Sequence, residues 1–193
     1  MITTRSVTKF LLPLFLLACS ADHTKKSELF TINLKTTESV EFSLQQLTAN
    51  KASVFIFLSP DCPMCQNYSL TLNQLFDKYK TDGVKFYGVF PGKNFDQSEI
   101  ETYIKTYDLK PDLLMDEDKH LSTFLGAKVT PEAFVIDRMG NILYKGSIDN
   151  WMYEPGQKRT LITEHYLEDA LQAIASNTSI KTISTEAKGC LIE

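Results

Sequence analysis

The stretch FLSPDCPMCQNYSLTLNQLF, Phe57 to Phe76, decides how this chain is built. In front of it, Ser53–Leu58 (SVFIFL) is almost continuously apolar and rich in β-formers, which suits a central strand covered on both faces. Behind it, Leu72, Leu75, Phe76 and Tyr79 recur at i, i+3, i+4 and i+7, the period of an amphipathic helix. Cys62 and Cys65 therefore stand where a buried strand turns into a helix. A thiol at a helix N-terminus faces unpaired N–H groups and the positive end of the macrodipole, which lower its pKa from about 8.5 towards roughly 3.5–7.5. Pro63 falls in the first turn, where its missing N–H costs nothing. Cys65 lies one turn further along, close enough to close a small disulfide with Cys62 or to attack a mixed disulfide formed there. The spacing alone leaves three readings open: a redox pair, half of a zinc site that still lacks two ligands, or a structural disulfide. Haem attachment requires C-x-x-C-H and fails, because residue 66 is Gln.

Working outward, Leu29–Leu34 alternates like a half-buried strand, Val40–Phe42 is a short partner, and Leu44–Ala49 is one or two helical turns. Gly83 is expected to end the helix after the cysteines, and Val84–Phe90 to form the next buried strand. Asp96 caps a helix carrying Ile100, Tyr103, Ile104 and Tyr107, and Leu113–Met115 is a short strand. Asp118 is expected to cap a short helix ending at Gly126. Ala133–Asp137 and Ile142–Lys145 flank the turn Arg138-Met139-Gly140-Asn141 and form a hairpin; a last helix covers about Thr163–Ser176. Strand–helix alternation ending in a hairpin predicts an α/β chain: a mixed central sheet covered by helices on both faces, with an N-terminal β extension.

The start of the chain sets its compartment. Arg5 and Lys9 precede the nine-residue apolar run Phe10–Ala18, which has the length of a signal-peptide core and is too short to span a bilayer. Leu16-Leu17-Ala18-Cys19 resembles the bacterial lipobox, in which the cysteine is lipidated and everything before it removed. The expected organisation is a lipoprotein signal peptide (1–18), a polar tether (19–28), one domain (29–177) and a C-terminal tail (178–193) holding Cys190. The domain is then expected in the cell envelope, anchored to the membrane by lipid on Cys19 and facing the periplasm. Without residues 1–18, which hold two basic residues and no acidic ones, the formal net charge falls from −4 to −6. Such an acidic body, with only Arg138 and Arg159 left as arginines, gives no electrostatic support to nucleic-acid binding. With Cys19 lipidated, Cys62, Cys65 and Cys190 remain, an odd count that argues against a pure disulfide framework.

A strand, a CxxC at a helix start and the later Val129-Thr130-Pro131-Glu132-Ala133-Phe134-Val135-Ile136-Asp137 together resemble the thioredoxin fold. More closely, SPDCPMCQNYSLTLNQL, VTPEAFVID, YKGSIDN, EHYLEDALQAI and TEAKGCLIE are similar to the redoxin branch related to the AhpC/TSA and TlpA/ResA groups. The resemblance implies a thiol-disulfide oxidoreductase with no cofactor and no resident metal. It implies Cys62 as attacking and Cys65 as resolving thiol, a cis-Pro131 beside them, and Thr130 with Pro131 as the edge that docks an extended substrate. Its partners would be protein thiols or disulfides and a redox protein that recharges the pair. Ser59, Asp61 and Pro63 would tune the site. Asp61 stands where thioredoxins carry Trp, and an acidic neighbour raises a thiol pKa. The preceding strand lacks the buried acid those proteins often have.

Two further resemblances are kept open. Ser59 three residues before Cys62, with Arg138 or Arg159 to polarise the oxidant, is similar to half of the peroxiredoxin motif. Sco-type copper carriers share the fold, but resemble C-x-x-x-C with a His near the later hairpin, and no His occurs between Leu121 and Asn150. The ending Gly189-Cys190-Leu191-Ile192 resembles that of redoxin relatives. It raises the expectation that the tail folds back and brings Cys190 to the CPMC end as a third redox thiol or a guard on the site.

Overall fold

A computed structural model of the protein describes residues 26–154 and 157–193. The signal segment, Cys19 and most of the tether lie outside the described residues. A seven-stranded sheet runs in the order β2-β1-β5-β4-β3-β7-β8. Its strands are β1 (Asn33–Thr36), β2 (Glu41–Ser43), β3 (Ala52–Phe57), β4 (Val84–Pro91), β5 (Asp112–Asp116), β7 (Glu132–Asp137) and β8 (Ile142–Gly146). β6 (Val129–Thr130) pairs instead with β11 (Cys190–Leu191), and β9 (Met152–Glu154) with β10 (Gln157–Lys158). The helices are α1 (Pro63–Tyr79), α2 (Gln97–Tyr107), α3 (His120–Leu125) and α4 (Tyr166–Ala175), with a 3-10 helix at Leu44–Ala49.

β3 is buried at all six positions, between parallel β4 and antiparallel β7. The pleat sends Val54 and Ile56 to one face and Phe55 and Phe57 to the other, so each face needs its own cover. On the first face Leu72, Leu75 and Tyr79 of α1, Ile100 and Tyr103 of α2, and Leu167, Leu171 and Ile174 of α4 close over the sheet. On the second face Leu44 and Leu47 of the 3-10 helix and Leu121 and Leu125 of α3 do so. The mixed, doubly covered sheet expected from the strand–helix alternation is the one observed.

Four local expectations are corrected. The first strand starts at Asn33 rather than Leu29, because Thr31 and Ile32 donate their amides to the carbonyls of Glu28 and Leu29 in a turn. Helix α1 ends at Tyr79, and Gly83, at φ +76°, serves the turn into β4 instead. Helix α3 takes its N-terminal acceptor from Asp116 at the end of β5: the buried carboxylate accepts from the amides of Leu121 (3.1 Å) and Ser122 (2.8 Å). Asp118, exposed, pairs with Lys93. Helix α4 starts at Tyr166, since the amides of Thr163 and Glu164 bond to the Asn150 side chain before it. Asp96 does cap α2, in a reciprocal capping box with Glu99.

Candidate functional site

The C-terminal end of β3 delivers Ser59, Pro60 and Asp61, and the chain then turns at Cys62 into α1. Cys62 is the N-cap residue, at φ −80° and ψ 113°, and Pro63 occupies the first helical turn. The turn is held by the Cys62 amide on the Ser59 carbonyl (3.2 Å) and by Gln66 Nε2 on the Pro60 carbonyl (2.9 Å). The Ser59 hydroxyl donates to the exposed Asp61 carboxylate.

Across from this turn, the Thr130–Pro131 peptide is cis, and Thr130 O lies 3.2 Å from Cys62 Sγ. Glu132 stands next to Pro131, buried, and its carboxylate accepts from the amides of Lys128 (2.7 Å) and Val129 (3.4 Å). That carboxylate shapes the segment carrying Thr130, and nothing in the sequence pattern pointed to it.

The bonded cysteine pair differs from the one the spacing suggests. Cys62 is joined to Cys190, with Cα atoms 6.1 Å apart, and Cys65 is a free, fully buried thiol. The physical reason is strand pairing. β11 runs antiparallel to β6 with Cys190 opposite Thr130 and Leu191 opposite Val129, and the Ile192 amide continues the ladder to the Lys128 carbonyl (3.0 Å). This register carries Cys190 to Cys62, while Cys65, three residues into the helix, faces the core cluster. Upstream, the tail is fastened along β8: Lys145 exchanges amide bonds with Ile183 (3.1 Å) and Thr185 (3.0 Å). Thr185 Oγ1 also bonds to Tyr144 and to the Ser147 amide. Under the docked tail Cys62 is 1% exposed.

Burial pushes the Cys65 thiol up to about 12, against weaker lowering by the nearby Ser59 backbone and Thr130 side chain; the Asp61 charge raises it a little further. Its neighbourhood is aromatic. Ser69 Oγ donates to the Cys65 carbonyl (2.9 Å) and meets Tyr103 Oη at 3.2 Å. Tyr68 donates its hydroxyl to the buried Asp149, which also accepts the Trp151 amide (2.8 Å), and the Tyr68 and Trp151 rings meet edge to face at 5.3 Å. Burial first, then the Asp149 carboxylate, raises Tyr68 far above the ordinary phenol range. Trp151, half-buried, packs at the margin of the core cluster that contains both CPMC cysteines.

The other expected participants are placed elsewhere. Arg138 is exposed in the β7–β8 turn, and Arg159 stacks over the Tyr153 ring at 5.2 Å. Among the described residues no three of His, Cys, Asp and Glu gather as a metal site, and no helix is long and apolar enough to cross a membrane.

The AhpC/TSA family profile matches residues 26–145. Thiol-disulfide oxidoreductase ResA of Bacillus thuringiensis is 27% identical over 84 residues, 42% of this chain and 46% of that protein. ResA of Bacillus cereus is 28% identical over 86 residues, 44% of this chain and 47% of that one. The matched stretch thus spans about half the length of these ResA relatives. A hypothetical protein of Sinorhizobium meliloti superposes with a TM-score of 0.73 at 21% identity, covering 83% of this chain and 89% of its own. A secreted Mycobacterium tuberculosis disulfide oxidoreductase homologous to Escherichia coli DsbE gives 0.55 at 18% identity, covering 78% and 98%. These superpositions establish a thioredoxin-like fold.

Proposed function

The chain belongs to the AhpC/TSA family, and from that premise we propose that it is a thiol-disulfide oxidoreductase of the ResA/DsbE type. Cys62 is its exchanging sulfur. The observation that carries this reading is the setting of Cys62 Sγ: at the head of α1, 3.2 Å from the Thr130 carbonyl beside cis-Pro131, and already in a disulfide with a cysteine presented on a paired strand.

The chemistry follows from that setting. In the reduced protein the Cys62 thiolate, favoured by the N-terminal end of α1, attacks one sulfur of a partner's disulfide; the partner's second sulfur leaves as a thiolate. A second thiol of this chain then attacks Cys62 Sγ, and the partner's remaining cysteine departs. Two thiols here become a disulfide, and the partner's disulfide becomes two thiols. Cys65 is the resolving thiol implied by C-P-M-C. In the tail-docked structure burial pushes its pKa up to about 12 and so favours the neutral thiol. Thr130 and Pro131 dock the partner's backbone, and Ser59, Asp61 and Pro63 hold the turn that presents Cys62. The lipobox at Cys19 supports an envelope location with the domain tethered by lipid, and a separate redox protein recharges the cysteines.

A thiol peroxidase would need Ser59 and an arginine free to polarise peroxide at Cys62. The Ser59 hydroxyl is committed to Asp61, Arg159 to Tyr153, and Arg138 follows Asp137 at the end of β7 away from Cys62, which favours disulfide exchange. Steady-state insulin reduction, run beside hydrogen peroxide turnover, tests the reading. Insulin reduction is expected in the wild type and lost in Cys62→Ser. Rapid peroxide turnover that depends on Cys62, without insulin reduction, overturns it.

A further inference from the structure

The tail strand is a cysteine-bearing segment caught in the act of partnering Cys62, and its details show what that position admits. Recognition along β6 is through backbone: Cys190 pairs with Thr130, Leu191 with Val129, and the Ile192 amide with the Lys128 carbonyl. The side chains alternate as on any strand. Cys190 turns to Cys62, Leu191 is 78% exposed, and Ile192 packs against the second core cluster.

Position 189 is different in kind. A Cβ there would sit 2.7 Å from the Thr130 carbonyl carbon, nearer still to its oxygen, and 3.2 Å from its amide nitrogen. All three are backbone atoms of a residue that is 2% exposed and cannot swing aside as the end of a side chain would. Gly189 is not among the glycines of positive φ, so it is required for space and not for an unusual dihedral angle. Moving the strand outward to admit a side chain would pull Cys190 away from Cys62, whose Cα separation already lies within the narrow range a disulfide tolerates.

We propose that the β6 edge selects the partners of Cys62 by the residue before their reacting cysteine, which must be glycine, and that Gly189-Cys190 is the chain's own occupant of that site, competing with external strands of the pattern Gly-Cys-X-apolar. The proposal rests on Cys62 being the exchanging sulfur. In exchange, the tail strand leaves β6 and a partner strand takes its register. The partner's cysteine thiolate attacks Cys62 Sγ, the Cys62–Cys190 bond breaks, and Cys190 leaves as a thiolate that takes a proton from water. One disulfide is consumed and one formed.

Two measurements test it. In glutathione buffers of graded potential, with disulfides mapped by mass spectrometry, Gly189→Ala is expected to lower the effective concentration of Cys190 at Cys62 about tenfold or more. Cys62 then appears linked to Cys65 or glutathione, while Lys188→Ala, which adds no bulk at Thr130, leaves the midpoint in place. An unchanged midpoint in Gly189→Ala overturns the proposal. Second, in Cys65→Ser/Cys190→Ser protein carrying thionitrobenzoate on Cys62, a peptide of the tail sequence 187–192 is expected to release the chromophore about tenfold or more faster than the same peptide with alanine for its glycine. Equal rates overturn the proposal. Insulin reduction without the glycine preference removes only this inference. A glycine preference in both measurements without insulin reduction removes only the catalytic reading.

Discussion

Replacing Cys190 with serine separates the contribution of the cross-link from that of the tail's other contacts. The Cys62–Cys190 bond spans a sequence separation of 128. In the chain-entropy account, closing a loop of that length stabilises the folded state by about 5 kcal/mol, and closing the Cys62–Cys65 loop, still open to the variant, by about 2 kcal/mol. Few other contacts of the tail tip respond to the change, since Leu191 and Ile183 are largely exposed. The oxidised Cys190→Ser protein is therefore expected to be less stable than oxidised wild type by about 3 kcal/mol, which for a chain of this size lowers Tm by about 6–12 °C. Calorimetry of both proteins, oxidised and again in excess reductant, measures it. The gap must close in reductant, where neither protein is cross-linked. Coincident melting of the oxidised proteins refutes the assignment of that bond, and a gap that survives reductant refutes its attribution to the cross-link.

Three other outcomes follow from the site. The Cys65 thiol, ordinarily at 9.0, is pushed up to about 12 by burial; because the unfolded chain loses this proton first, its stabilising effect is complete below pH 9 and is lost as pH rises towards 12, at about 1.4 kcal/mol per pH unit. Urea titrations across that window should show Cys65→Ala with a shallower loss of stability than wild type, the buried tyrosines contributing equally to both; parallel curves exclude the effect. Tyr68→Phe leaves the buried Asp149 with the Trp151 amide as its remaining bond among those described, and a loss of about 1–3 kcal/mol is expected in chemical denaturation; an unchanged midpoint shows that water replaces the hydroxyl. Glu132→Ala frees the Lys128 and Val129 amides; exchange at Cys62 should slow and the Cys62–Cys190 bond become easier to reduce, whereas unaltered exchange kinetics would mean that the β6 segment keeps its shape without the carboxylate.

The sequence carried the sheet and both ends of the CPMC turn because their signals are local. Ser53–Leu58 announces a doubly covered strand and Leu72 to Tyr79 a helix face, each within a few residues. The parts that escaped are made at a distance. β11 is only Cys190 and an exposed leucine, between Gly189 and Ile192, so no periodicity marks it; the resemblance of the chain's ending to redoxin relatives pointed Cys190 towards the site, but the strand's order comes from pairing with residues 129 and 130. Asp116 caps α3 from the preceding strand, and the acid nearer the helix, Asp118, was the more conspicuous choice. The Tyr68–Asp149 bond joins residues 81 apart, and Glu132 looks like any strand acid until its two amide partners are seen.

The path of the tail also concerns the outermost strand of the sheet. β8 has β7 on one side, and on the other its Lys145 amide and carbonyl are taken up by residues 183 and 185. Without residues 183 and 185 those backbone groups would lose their cover and β8 would be an open sheet edge, the kind that pairs with a strand of another molecule. The tail thus closes two places at once: its tip covers Cys62, and its middle, fastened by Thr185 to Tyr144 and Ser147, covers the sheet edge.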